Sequence, residues 1–208
     1  MIDLASTTTR AWAERVLEQP IELLVDHAHC ELGAAASAQG LVHRHPADHE
    51  LGDRMAALAC EELTHFRQVV RVIRALGGAM GGRSANPYAE GLGRWARETR
   101  GDGPTLLDHL LVAAVIEARS YERFCLLAEV ATDARLAELF AELGPSERGH
   151  MTLFPELARR RFAPDQVERR LADIVAYEAR LLADLGFGPR VHSGEPASEL
   201  AAAPNDLP

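Results

Sequence analysis

Lysine is absent from this chain: all 22 basic residues are arginine, set against 31 acidic ones for a formal net charge of −9. That balance argues against an extended nonspecific nucleic-acid surface and leaves only a local one open. The uniform choice of arginine reads first as codon bias and second as a supply of phosphate-binding forks. Cysteine is scarce and odd in number. Cys30, Cys60 and Cys125 are widely spaced and form no CxxC pair, which excludes a disulfide framework and a zinc ribbon; buried thiols in a reducing compartment are the expectation. No stretch of about 18 uncharged apolar residues occurs, and the start lacks the basic, apolar and small segments of a secretion signal. A soluble, cytoplasmic protein with no membrane partner is expected. Alternating strand patterns are missing too.

What is present is helical periodicity. Of 208 residues 47% are hydrophobic, enough for one domain with a real core, and they recur at steps of three and four. A long helix is expected over 20–43, opened by Pro20, and a second over 48–76, stopped by Gly77-Gly78. The following "GGAMGGRSANPY" reads as the long crossover of a bundle. A short helix near 90–100 precedes a third core helix, "TLLDHLLVAAVIEARSYERFCLLAEVA". A fourth, capped by Thr132, reaches about 161 and is expected to kink or break at Gly144-Pro145, Gly149 and Pro155. A fifth covers 164–185. The domain is placed at 1–186; lost periodicity from Gly186 onward predicts a flexible tail over 187–208.

In "CEELTHF", residues 60–66, Glu62 and His65 leave one helix face a turn apart. The spacing recurs in "SERGH" as Glu147 and His150. Each copy has a glutamate upstream: Glu31 lies 31 positions before Glu62, and Glu117 lies 30 before Glu147. The order Glu, Glu-x-x-His, Glu, Glu-x-x-His is an internal repeat of two helix hairpins. Four carboxylates in a bundle centre would repel one another and resist desolvation. Two divalent cations balance their charge and two imidazoles complete the donor set, which is the dimetal arrangement of ferritin-like four-helix bundles. Oxygen-rich ligation with open positions favours iron or manganese over structural zinc.

Glu61 and Ser146 stand one turn before the histidines as candidates to hold their second nitrogens. His27, His29, His43, His45 and His49 read as surface or hydrogen-bonded residues, and Glu122 and Glu129 as solvated acids. Ala28, Ala34, Ala35 and Ala113 leave volume near the ligands, where Leu58, Phe66, Tyr121, Phe124 and Met151 are candidates for an apolar slot, although core packing is the first reading of each. Arg67, Arg71, Arg74, Arg83, Arg94, Arg97 and Arg100, with the run Arg159 to Arg161, are candidates for phosphate contacts.

The strings "LLVDHAHCELGAA", "ACEELTHFRQV", "VIEARSYERF" and "SERGH" together resemble the tRNA-(2-methylthio-N6-isopentenyladenosine) hydroxylases, the MiaE family, over roughly residues 15–185. The resemblance implies an all-α, ferritin-like four-helix bundle with flanking helices. It implies iron ligands and catalytic centre in Glu31, Glu62, His65, Glu117, Glu147 and His150, and O2-dependent hydroxylation of the isopentenyl group beside the tRNA anticodon. Two Fe ions, O2 and an external electron donor follow, and with them a redox partner such as a ferredoxin or reductase system, besides the prenylated tRNA. Two other readings stay open. Another di-iron or di-manganese oxidase or peroxidase fits the same ligand pattern, and a non-enzymatic iron-binding protein fits it without an organic substrate.

Overall fold

Four helices begin where a side-chain oxygen accepts one of their free N–H groups: Thr9 bonds Trp12, Asp48 bonds Leu51, Asn86 bonds Ala89 and Asp133 bonds Arg135. Each such cap is worth about 1 kcal/mol. A proline fills the first turn of three helices, where its missing N–H costs nothing. The computed structural model describes residues 2–82 and 85–197, and all of its regular elements are helices: α1 (Arg10–Val16), α2 (Pro20–Arg44), α3 (His49–Ala75), α4 (Pro87–Thr99), α5 (Thr105–Val130), α6 (Ala134–Arg159) and α7 (Pro164–Asp184).

The hairpins α2–α3 and α5–α6 pack along their lengths and meet through α3 and α6, while α1, α4 and α7 lie against α5. This is the expected four-helix bundle with flanking helices. None of the helices is long and apolar enough to cross a membrane. The apolar core is split in two. One cluster holds Leu51, Met55, Leu110, Phe154 and Ile174; the other holds Trp12, Leu23, Ile73, Phe124 and Phe140. Along all four core helices the six anticipated ligands fall between these clusters, so a polar layer crosses the middle of the bundle.

Several expectations are corrected. Asp133, not Thr132, caps α6. That helix runs unbroken through Pro145 and Pro155, because packing of Leu139, Phe140, Leu143, Met151 and Phe154 offsets an interior proline's cost of about 3 kcal/mol. The helix α1 was not anticipated: its seven residues are too few for a periodic signal. Cys60 and Cys125 are exposed rather than buried. The stretch expected to be a free tail is packed as far as Ser193, with Val191, His192 and Ser193 buried; residues 198–208 lie outside the described residues.

Two arginines from "IEARSYERF" anchor that stretch. Arg119 and Arg123, both 0% exposed, point from α5 into the protein. Arg119 grips Glu178 of α7 through Nε at 2.8 Å and Nη2 at 3.0 Å, and Tyr88 of α4 donates its hydroxyl to the same carboxylate at 2.9 Å. Arg119 also reaches Glu122 and the Ser6 carbonyl. Arg123 donates to the carbonyls of Val191 and Ser193. The Val191 N–H is taken by Asp26 of α2 at 2.9 Å, and Trp12 of α1 donates to Ser193 Oγ at 3.0 Å. His192 stacks on Tyr88, ring centres 4.5 Å apart. A sequence without periodicity is therefore ordered by hydrogen bonds its neighbours in the chain cannot supply.

Breaking the buried ion pair from one side strands a charge. Arg119→Leu is expected to lower the unfolding free energy by about 3–5 kcal/mol, and Arg119→Leu with Glu178→Leu by much less than the two single losses combined; urea unfolding of the three variants measures the coupling. His192 gives a pH dependence. Burial, with Arg123 and Arg119 nearby, holds its imidazole well below the ordinary value of 6.5, so it stays neutral when folded and binds a proton when unfolded. Its contribution is present above about pH 6.5 and lost as pH falls toward the folded value. The stability difference between wild type and His192→Gln should therefore shrink or reverse between pH 8 and pH 5; a difference that does not change with pH contradicts this account.

Candidate metal centre

The α2–α3 hairpin brings Glu31, Glu62 and His65 to the polar layer, and α5–α6 brings Glu117, Glu147 and His150. All six are buried. Single donor atoms of Glu31, Glu62, His65 and Glu147 lie within 4.8 Å of one another, as do those of Glu62, Glu117 and His150. Glu62 belongs to both groups and so stands where a bridging carboxylate would. The imidazoles face each other with ring centres 6.0 Å apart. His65 turns Nδ1 toward Glu62 Oε2 at 3.3 Å and Glu31 Oε2 at 3.7 Å; His150 turns Nδ1 toward Glu62 Oε1 at 3.2 Å and Glu147 Oε2 at 3.9 Å.

The electrostatics call for a cation. Burial drives the carboxyls of Glu117 and Glu147 well above the ordinary range, reinforced by the neighbouring acids. Burial likewise pushes Glu31 up to about 8. Glu62 goes the other way: burial would raise it, but the adjacent imidazoles of His150 and His65 hold it below the carboxylate range. Burial would lower the histidines, yet the carboxylates of Glu31 and Glu62 raise His65 to about 10, and Glu62 with Glu117 raises His150 to about 9. Protons thus take the place of positive ions. Glu62 Oε1 and His150 Nδ1 are buried without a hydrogen-bond partner although they lie 3.2 Å apart. Four buried carboxylates and two imidazoles converging on one layer make a donor set that fits a pair of divalent cations.

Around this centre the structure separates the other candidates. Glu61, 47% exposed, stands between the outer nitrogens of both imidazoles, 3.3 Å from His150 Nε2 and 4.0 Å from His65 Nε2; Ser146 makes no such contact. His27 was missed as a site residue. It is buried, and its Nε2 lies 2.5 Å from Glu31 Oε1. The signal was its four-residue spacing from Glu31, which puts both on one helix face. Glu122, expected to be solvated, accepts from Thr8 and Arg119, whereas Glu129 is exposed and meets only Arg10.

A cavity of about 340 Å³ lies between α2, α4 and α5 and reaches Glu117. It exists because α4 packs against α5 and α7 and stands off from α2; the connection before α4 is tied to α2 by His29 Nε2 to the Gly81 carbonyl at 3.0 Å, and the α4 cap by Asn86 to Cys30 Sγ at 3.7 Å. Of the expected apolar slot, Ala34, Leu58 and Ala113 line the cavity; Ala28, Ala35, Phe66, Tyr121, Phe124 and Met151 do not. Its outer wall carries the exposed Glu90, Arg97 and His109, with Arg100 beside them. Arg67, Arg71, Arg74, Arg94 and Arg97 are exposed and form no ion pair among the described residues. Arg159, Arg160 and Arg161 are taken by Glu168, Glu50 and Asp48. Arg83 lies outside the described residues.

Two antiparallel helix hairpins sharing a buried layer of four carboxylates and two imidazoles define a ferritin-like protein with a carboxylate-rich metal-binding site. The family described as tRNA-(MS[2]IO[6]A)-hydroxylase (MiaE) matches residues 2–193, and the chain belongs to it. It is 35% identical over 193 residues, 93% of each chain, to the tRNA 2-(methylsulfanyl)-N(6)-isopentenyladenosine(37) hydroxylase of Pseudomonas putida. To the protein of the same name from Salmonella typhimurium it is 37% identical over 158 residues, covering 74% of this chain and 55% of that one. Among solved structures it is similar to "Protein 43 with aldehyde deformylating oxygenase activity from Synechococcus", with a TM-score of 0.86 and 36% identity over 94% of this chain and 98% of the other.

If Glu62 joins both halves of the centre, Glu62→Ala should cost more metal than the loss of a ligand belonging to one half. After loading with iron(II) and desalting, elemental analysis is expected to find two ions per wild-type chain and fewer than one in Glu62→Ala, with His65→Ala also depleted. Full occupancy in Glu62→Ala or His65→Ala would sink the ligand assignment.

Proposed function

We propose that this chain is a di-iron monooxygenase that hydroxylates the isopentenyl group of 2-methylthio-N6-isopentenyladenosine, or its N6-isopentenyl counterpart, at position 37 of tRNA. The observation that carries the proposal is the cavity joining Glu117 to an arginine-bearing surface within a member of this family. Glu31, Glu62, His65, Glu117, Glu147 and His150 would hold the ions. The chemistry supplied by two bound iron ions is reductive activation of O2 for attack on an unactivated C–H bond, and each turnover draws two electrons from an external donor such as a ferredoxin or reductase system. A tRNA substrate places the work in the cytoplasm.

The residues of the chain do the rest. Ala34, Leu58, Ala113, Ile116 and Phe154 give the inner cavity an apolar wall that excludes water and accepts a branched five-carbon tail. Farther out the lining turns polar, as an adenine edge and its ribose require, and Arg97 and Arg100 are placed for the phosphates. A long unbranched aldehyde would leave those outer groups unpaired. His65 and His150 present Nδ1 to the centre, and Glu61 stands near the opposite nitrogens.

Iron-loaded protein incubated with prenylated tRNA, O2 and a ferredoxin–reductase system is expected to add one oxygen atom to the modified adenosine, read by mass spectrometry of the nucleosides. Ala113→Phe fills the cavity beside Glu117 and should lower that rate on the order of 100-fold with iron content unchanged. No added oxygen with iron bound and electrons supplied would overturn the reading, and turnover of an aldehyde or of peroxide in the same reaction would replace it.

A further inference from the structure

We infer that the two metal positions are unequal: His27 fixes Glu31, and the matching glutamate of the second hairpin, Glu117, is left free beside the cavity. The internal repeat makes the comparison direct. Four residues before Glu31, on the same face, stands His27; four before Glu117 stands Ala113. His27 is 1% exposed and its Nε2 meets Glu31 Oε1 at 2.5 Å. Its ring lies between Phe124 and Phe140, at centroid distances of 4.7 Å and 5.9 Å, so it has one orientation. A neutral imidazole in that place donates Nε2–H to the carboxylate. One oxygen of Glu31 is thereby engaged, and the other, 3.7 Å from His65 Nδ1, is left to face an ion.

Glu117 has no such support. Among the described residues no N–H or hydroxyl donates to it, its near neighbour is the Glu147 carboxyl, and the space His27 fills in the first hairpin is replaced by the Ala113 side of the cavity. A ligand held in place before binding costs less to order than one that must be fixed on binding. The position built on Glu31 and His65 therefore takes its ion first and more tightly. The position built on Glu117 and His150 fills second, exchanges faster, and is the one whose carboxylate can move when the cavity is occupied. His27 is a positioning residue acting through Glu31. The inference rests on the ligand set proposed above but not on the identity of the organic substrate.

Calorimetric titration of the metal-free protein with cobalt(II), followed in parallel by visible absorption, tests it without any turnover. Wild type is expected to bind two ions in two resolved steps. His27→Phe, which keeps a flat apolar ring against Phe124 and Phe140, should weaken the first step by about 10–100-fold and leave the second unchanged. His27→Gln restores an N–H donor and should recover part of the loss, which mere damage to packing would not permit. Glu117→Gln should affect only the second step. Two indistinguishable steps in wild type, wild-type affinities in His27→Phe, or equal weakening of both steps would each overturn the inference. Failure of wild type to bind a second ion would overturn the dinuclear ligand set instead, and this inference with it.

Discussion

Four carboxylates share the water-excluded middle of the bundle, and their mutual repulsion is the constraint around which the remaining parts are arranged. A layer of that kind contributes little to stability by itself, because desolvation consumes most of what pairing returns. The apolar clusters on either side must therefore hold the helices together across a polar seam. Leu51, Met55 and Phe154 do so at one end, and Phe124, Phe140 and Ile73 at the other. The seam is buried, and its side chains are brought together by packing above and below it rather than by attraction within it.

The convergence of the six glutamates and histidines could be read from the chain because helical geometry converts a three-residue spacing into a shared face, and because the pattern occurs twice. Core helices were legible for the same reason. What escaped were contacts between segments far apart in the chain. Arg119 meets Glu178 across 59 positions, and Asp26 meets Val191 across 165; no local spacing announces either. His27 escaped for a different reason. Its i to i+4 relation to Glu31 was present, but one such spacing is common on any helix, and only burial between Phe124 and Phe140 makes it a contact.

The cavity too was hidden, although most of its walls were in sight. Phe66, Tyr121, Phe124 and Met151 had the right character for an apolar slot, and the fold assigns them to core packing or to other faces. The decisive element is α4, expected only as a short helix near 90–100, whose distance from α2 depends on Tyr88 and Glu178 drawing it toward α7. The position and lining of that one short helix shape the opening above the polar layer.

The clamp on α5 also bears on how the chain assembles during synthesis. Arg123 is made 68 and 70 residues before the two carbonyls that it binds. Until those residues emerge, its guanidinium keeps only the Thr8 hydroxyl at Nε, and α5 with Glu117 lacks its final lock. The buried polar layer is thus enclosed late in synthesis, so a truncated product stopping short of Val191 has all six of the layer's glutamates and histidines yet an unsealed bundle.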